Sequence, residues 1–329
     1  MNIYFAPMEG ITGAIYRRTA RKHFPDVDRY YAPFVQPNQK RVFVPKEQRD
    51  ILPENNDNVP LVPQVLTCVA DGFIRAGKAL EAYGYREVNL NLGCPSGTVV
   101  SKGKGAGMLS DVNHLDAFLE EVFSQDWKAK ISVKTRLGVT ENMDFEELLN
   151  VFHKYPICEL IIHPRYRTDF YKGTPRFHEF ERAVHMYEES NPFETRLCYN
   201  GNIFTKKNYE QLLIRYGEEG IDSVMIGRGL LANPALVREI RGGSPLSKDE
   251  LLDFHDDLFE VYSGLNFGEK NTLFKMKELW NYWGPIFADA DRELKRVRKA
   301  DRYSDYLPAV KDLFRSADFT QEHGFVPGQ

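Results

Sequence analysis

Short apolar runs rich in β-branched and aromatic residues recur along the first two thirds of the chain. They are IYFAP (3–7), YYAPFV (30–35), LVPQVL (61–66), EVNLNL (87–92), ISVKTR (131–136), LIIHPR (160–165), RLCYN (196–200) and SVMIGRG (223–229). Runs of this length and make-up predict strands. Between most of them the apolar residues fall at i, i+3, i+4 and i+7, the helical period. Phe145, Leu148, Leu149 and Phe152 form one such stripe, with Asp144 and Glu147 as a predicted capping box. Tyr209, Leu212, Leu213 and Tyr216 form another, opened by Thr205 and closed by Gly217. Strands alternating with helices build right-handed βαβ units and a parallel sheet. Eight units over about 240 residues match the size of a (β/α)8 barrel. The rival is an open doubly wound sheet, whose dinucleotide form needs GxGxxG after an early strand. The comparable stretch here, GKGAG (103–107), lies deep inside the chain. The expected fold class is α/β, a (β/α)8 TIM barrel.

The pattern changes near residue 242, where GGSP (242–245) punctuates the chain. SKDELLDFHDDLFEVYSGL (247–265), NTLFKMKELWNYWG (271–284), RELKRVRKA (292–300) and DYLPAVKDLF (305–314) are helical in period, and Ser247 with Glu250 makes a second predicted capping box. The barrel is therefore expected to be followed by a small all-α helical domain. The expected boundaries are 1–242 for a catalytic barrel and 243–329 for the helices.

Composition narrows the class. With 42% hydrophobic and 27% charged residues, the chain is neither disordered nor fibrous. No stretch approaches the roughly 18 apolar residues of a membrane helix. MNIYFAPMEG lacks the regions of a signal peptide. Cysteines at 68, 94, 158 and 198 share no metal-binding or CxxC spacing, so no metal is expected and a reduced, cytoplasmic protein is. The net charge of −4 does not announce a nucleic-acid binder, though recognition depends on one face and not on the total.

Barrel enzymes carry their sites at the C-terminal ends of the strands. Here polar residues crowd those ends, although such groups destabilise an apolar interior unless paired. The first run ends in Pro7, Met8 and Glu9, the third carries Gln64, and the fourth leads through Asn91 to Cys94. The fifth carries Lys134 and Arg136, the sixth His163 and Arg165, and the last two lead into Asn200-Gly201-Asn202 and Gly227-Arg228-Gly229. Loops after the last two strands often bind phosphate. Glycines let amides approach an anion, and Arg228 adds a charge-assisted contact. A helix expected at 233–240, with Asn233 as cap and Pro234 at its first position, extends that site. GRG is otherwise a tight turn with a surface arginine.

Lys134 suits a site where negative charge develops on a reduced ring; the bland alternative is an ion pair with Glu9. Gln64 offers a donor and an acceptor to a flavin or pyrimidine edge, or is a buried amide satisfied by backbone. Cys94 in GCPSG is placed to be a nucleophile or proton donor, and an unperturbed thiol is mostly protonated near neutrality. It is otherwise a chance loop cysteine. SKGKGAGMLSD (101–111) reads as a glycine-hinged lid with Lys102 and Lys104 for phosphates, or as a plain loop.

Taken in order, APMEG (6–10), PQVL (63–66), NLNLGCPS (89–96), KGKGAGML (102–109), VKTRLG (133–138), IHPR (162–165), YNGN (199–202) and IGRGLLANP (226–234) resemble the tRNA-dihydrouridine synthases over essentially the whole chain. Two motifs depart from the commoner family forms: APMEGITG stands for APMAGVTD, and His163-Pro164-Arg165-Tyr166 stands for HGRT. The resemblance implies an FMN enzyme that reduces a tRNA uridine to 5,6-dihydrouridine with NADPH as electron donor. Hydride would pass from flavin N5 to uracil C6, and Cys94 would supply the proton to C5. Pro7, Met8 and Glu9 would line the flavin, Gln64 and Lys134 would hold its ring edge, and His163 would lie beside it. Asn200, Gly201, Asn202, Gly227 and Arg228 would hold its phosphate. Asn91 and Arg165 would bind the uracil. The partner would be tRNA, with no membrane, and the protein a monomer.

The helical tail would help to hold that tRNA. RELKRVRKADR (292–302) carries six bases and two acids, yet residues 244–329 hold 12 basic and 16 acidic residues, so a solvated helix face is the alternative. Trp280, Tyr282, Trp283 and Tyr303 are either stacking platforms or core. The competing function is an FMN-dependent oxidoreductase of a free pyrimidine, of the dihydroorotate dehydrogenase kind, which needs no helical tail. A non-catalytic tRNA-binding protein would not need Cys94 and Lys134.

Overall fold

The computed structural model describes residues 1–217, 221–265, 268–320 and 325. Nine parallel strands form one sheet: β1 Asn2–Phe5, β2 Arg29–Tyr31, β3 Leu61–Val62, β4 Gln64–Val65, β5 Glu87–Leu92, β6 Lys130–Arg136, β7 Glu159–His163, β8 Arg196–Tyr199 and β9 Ser223–Ile226. Their order is β3-β2-β1-β9-β8-β7-β6-β5-β4. The two ends of that order, β3 and β4, are halves of a single predicted run, so the sheet curls into the expected TIM barrel.

The split has a cause. Pro63 has no N–H to give the ladder, and Pro33 interrupts the facing run in the same way. Pairing resumes past both prolines, where the Val35 amide donates to Gln64 O at 2.8 Å and the Leu66 amide to Val35 O at 2.9 Å.

Around the barrel run α1 Ala14–His23, α2 Pro45–Ile51, α3 Ala70–Ala82, α4 Gly97–Val100, α5 Val112–Phe123, α6 Phe145–Phe152, α7 Phe177–Glu189, α8 Lys206–Tyr216, α9 Arg228–Ala232 and α10 Leu236–Ile240. The α6 stripe of Phe145, Leu148, Leu149 and Phe152 is wholly buried against the sheet. Its cap is simpler than expected: Asp144 accepts from the Glu146 amide at 3.0 Å, and Glu147 does not reach back. Thr205 and Asn208 cap α8 reciprocally, but only Leu212 of its stripe is buried.

The C-terminal region is helical, with α11 Lys248–Gly264, α12 Glu269–Trp283, α13 Asp291–Lys299 and α14 Tyr303–Ser316. The Ser247–Glu250 capping box opens α11 as expected. Two short strands that the pattern did not show, β10 Phe287–Ala288 and β11 Asp318–Phe319, pair antiparallel and tie the last described stretch back to the end of α12.

The helices are not a separate globule. Phe254 of α11 stacks edge-on against Tyr16 and Phe24 of the barrel side. Trp283 donates its indole N–H to Leu231 O at 2.9 Å, in the helical turn that follows β9. Trp280 and Trp283 are both fully buried, which settles them as core; Tyr282 and Tyr303 stay partly exposed.

Candidate active site

The C-terminal ends of the strands enclose a cavity of about 260 Å³. Pro7, Met8, Glu9, Gln64, Asn91, Cys94, Lys134, His163, Asn200, Gly201, Asn202, Gly227 and Arg228 all line it. Residues as far apart in sequence as Pro7 and Arg228 thus meet because each stands at the same end of a parallel strand.

A chain of amides forms the floor. Gln64 donates to Asn89 Oδ1 at 2.7 Å, Asn89 to Ser132 Oγ at 2.8 Å, and Asn91 to Gln64 Oε1 at 2.6 Å. These bonds fix the amide orientations and leave Gln64 a donor hydrogen and an acceptor lone pair to spare. Asn91 Oδ1 accepts from the Gly93 and Cys94 amides at 3.0 and 2.9 Å. Its first task in this chain is therefore to hold the turn that carries Cys94.

That turn is braced on every side. Arg136 Nε donates to Gly93 O at 2.9 Å, and the Ala106 amide donates to Cys94 O at 3.1 Å. Here the expectation of a lid fails. Residues 105–109 are buried in a 3-10 turn behind Cys94, and a Cβ on Gly105 would lie 2.9 Å from Cys94 Cβ. Gly105 also has φ +56, so glycine is needed there for both space and backbone. Neither Lys102 nor Lys104 lines the cavity. Burial pushes the Cys94 thiol above its ordinary range, while the Ser96 amide and the charges of Arg136 and Lys134 pull it down. The thiol is thus protonated at neutral pH.

Lys134 stands on the floor without a hydrogen bond or ion pair among the described residues, and the proposed pairing with Glu9 is not made. Burial, reinforced by Arg136, brings its pKa down to about 8. His163 is almost enclosed, and burial followed by the charges of Arg136, Lys134 and Arg165 holds its pKa well below the usual range. Its tautomer follows from its partner. Arg165 NH1 lies 2.9 Å from His163 Nε2, and arginine only donates. Nε2 therefore accepts, and the proton of the neutral ring sits on Nδ1.

Arg165 itself does not reach the cavity, which corrects its expected contact with a base. It is fully buried behind the wall. Its guanidinium is spent on Lys172 O, Gly173 O, Asn202 Oδ1 and His163. It positions those groups.

At the opposite rim, Asn202 Oδ1 accepts from both Arg165 and Arg228 at 3.2 Å. Among the described residues, the amides of Gly201, Asn202, Gly227 and Arg228 donate to nothing in the chain. The helix that opens at this loop is α9, beginning at Arg228, and not the expected one at 233–240. Asn233 instead caps the turn into α10, accepting from the Ala235 amide at 3.1 Å.

Two further lining residues carry no expected role: Arg136, which the pattern places at a strand end, and Tyr171. Arg136 lies two positions after Lys134 on β6, so strand alternation sends both inward, a signal present in the sequence. It binds Gly93, Tyr166 and Phe170 carbonyls. Tyr171 carries no such signal. Its ring covers Arg228 at 4.9 Å and Arg136 at 5.5 Å, from a loop between β7 and α7.

The site thus offers free amides and Arg228 at one rim, an unpaired lysine and an amide edge on its floor, and a braced thiol. That donor set fits a planar ring with a phosphate tail. Among the described residues no cluster suited to a metal ion occurs.

Residues 4–263 match the family model described as Dihydrouridine synthase (Dus). A protein of Staphylococcus aureus (strain COL) named probable tRNA-dihydrouridine synthase is 30% identical over 286 residues, covering 84% of this chain and 81% of the relative. A probable tRNA-dihydrouridine synthase 2 of Bacillus subtilis (strain 168) is 29% identical over 266 residues, covering 78% of each chain.

Proposed function

The chain belongs to the dihydrouridine synthase family, and from that premise we propose that it reduces a uridine of tRNA to 5,6-dihydrouridine. FMN is the resident cofactor in this reading and NADPH the electron donor. The observation that carries it is the union in one cavity of an unpaired Lys134, four unused amides beside Arg228, and the braced thiol of Cys94.

The phosphate of FMN would be held by the amides of Gly201, Asn202, Gly227 and Arg228 and by the Arg228 guanidinium. Gln64, Lys134 and the Nδ1–H of His163 would face its ring, with Pro7, Met8 and Glu9 along the side. Bound there, it would supply hydride from N5 to uracil C6. The rest falls to the chain. Chemistry on a stacked base requires that the base leave its stack, so the uridine must enter the mouth flipped out. Cys94 holds the proton for C5, and its raised pKa keeps that proton available through neutral pH. Asn91 and Arg136 fix the turn so that the thiol keeps its place. Lys134 opposes negative charge that develops on the ring beside it. The helical region 243–329 serves as the tRNA-holding part. No helix among the described residues is long and apolar enough to cross a membrane, and a monomer in the cytoplasm is the setting proposed.

The test is incubation of the flavin-loaded protein with NADPH and unmodified tRNA, with dihydrouridine mapped by mass spectrometry. Dihydrouridine at one position supports the reading. A protein that NADPH reduces, and that free uracil but not tRNA re-oxidises, belongs instead with the free-pyrimidine oxidoreductases.

A further inference from the structure

We infer that Phe274, on the outer face of α12, is a stacking platform for an unpaired base beside the reacting uridine. The inference rests on the reading that the substrate is RNA. Helix α12 borders the mouth along one side. Near its start, Lys275 Nζ donates to Gly10 O, in the loop that follows β1. Near its end, Tyr282 and Arg228 share the ring of Phe325, at 5.3 and 5.9 Å. On the other flank, Lys277 Nζ donates to Ala300 O at 2.9 Å, just past α13.

Residues on a helix are set about 100° apart, so Phe274 stands about 100° from Lys275 and about 60° from Lys277, in opposite senses. It therefore tops the ridge between the mouth and α13. The residue is 67% exposed, where Met276, Leu279 and Trp280 of the same helix are at 2% or less.

Beyond the ridge, α13 presents Arg292, Lys295, Arg296 and Lys299 at i, i+3, i+4 and i+7, lining a cleft of about 600 Å³ against α14. Only Arg296 is paired, to Asp312 at 3.0 Å; the other three have no ion pair among the described residues. Three free cations in a row, against the carboxylate of Asp305 in the same cleft, fit a phosphodiester backbone, and Phe274 stands on the ridge between that cleft and the mouth. A flat, exposed ring on that ridge suits any base, because every base has a π-face. The same charges disfavour an apolar protein partner.

The experiment compares wild type with Phe274→Ala, Phe274→Trp and Ile214→Ala. Ile214 is an exposed control on α8, at 86% exposure. Affinity for tRNA is read by anisotropy, and KM and kcat by dihydrouridine formation. Phe274→Ala should weaken binding about tenfold and raise KM in step, with kcat little changed, since one base stack is at stake. Phe274→Trp should restore both, and Ile214→Ala should match wild type. The slope of log affinity against log salt should be unchanged in Phe274→Ala, but should fall by about one in Lys295→Ala. Phe274→Ala behaving like Ile214→Ala, in a wild type that binds and reduces tRNA, overturns the platform alone. A wild type that binds no tRNA overturns the platform and the proposed substrate together.

Discussion

At the N-terminal end of the barrel, Glu159 is fully enclosed and each charge near it is answered. Its Oε1 accepts from Ser223 Oγ at 2.6 Å and Tyr4 OH at 3.0 Å, and its Oε2 meets Arg196 at 3.3 Å and Arg29 at 3.5 Å. Arg29 also pairs with Glu87 at 2.7 Å. Two acids and two arginines close on one another there, with the hydroxyls of Tyr4, Tyr31 and Ser223. At the C-terminal end, Lys134, Arg136, Arg165 and Arg228 gather with no ion pair among the described residues; the arginines bind carbonyl and amide oxygens. Glu159 at one end and Arg136 and Arg165 at the other are all buried, while Arg29 and Arg196 reach the surface in part. One end pairs its charges within the chain, and the other leaves its cations without a carboxylate partner among the described residues. Burying an uncompensated charge costs several kcal/mol, so the second arrangement persists in a chain that has something to bind.

Cys94→Ala should separate the two ends most sharply. Loss of a positioned proton donor should slow dihydrouridine formation by about 10²–10⁴-fold. The thermal midpoint should stay near that of wild type, because the turn is held by its backbone and Asn91. A variant of unchanged rate would remove Cys94 from the chemistry.

Glu159→Ala should do the reverse. It leaves Arg29 and Arg196 without their shared partner and should cost about 3 kcal/mol of stability, read from urea unfolding. The rate per folded, flavin-loaded molecule should not move. A loss of rate without a loss of stability would mean that the closed end also serves the site.

Lys134→Met should give effects of opposite sign. Without the cation, the flavin-free protein should gain about 1 kcal/mol. The dissociation constant for FMN should rise about 10- to 100-fold, as for a lost charge-assisted hydrogen bond. Flavin fluorescence quenching and a melt of the flavin-free protein measure the two. If the variant is less stable without flavin, Lys134 is a structural cation and the contrast between the ends is weaker than drawn.

The sequence made the barrel and most of its mouth legible, because a parallel barrel places its chemistry at the ends of its apolar runs. Cys94, Lys134 and Arg228 follow from that rule together with the family motifs. What escaped depends on contacts between loops. Arg165 stands at a strand end like Lys134, yet the carbonyls of Lys172 and Gly173, in a loop with no pattern of its own, draw it behind the wall. Tyr171 comes from the same loop. The glycines of 103–107 promise freedom in sequence, but Gly105 and Gly107 are there for close packing, since a Cβ on either would strike Cys94 or Val100. Pro63 was visible in its run, but its effect depends on which strand faces it.

The gentlest probe of the contrast is pH. The Lys134 pKa falls from an ordinary 10.5 to about 8 in the folded chain. Between these values the unfolded chain holds more protons than the folded one, so flavin-free stability should rise with pH there. Below about 8 the buried cation is fully charged and its cost fully present. His163, also depressed, adds instability only as pH drops below its ordinary range. A bound anion pairs with Lys134 and raises its pKa again. The gain in thermal midpoint from FMN should therefore be largest below about pH 8 and shrink toward pH 10. In Lys134→Met that gain should be smaller and nearly level over the same range. Melts of both proteins with and without FMN, taken across that interval, decide it. A level gain in wild type would mean that the lysine does not face the flavin, and that the unpaired charge at the mouth awaits the RNA instead.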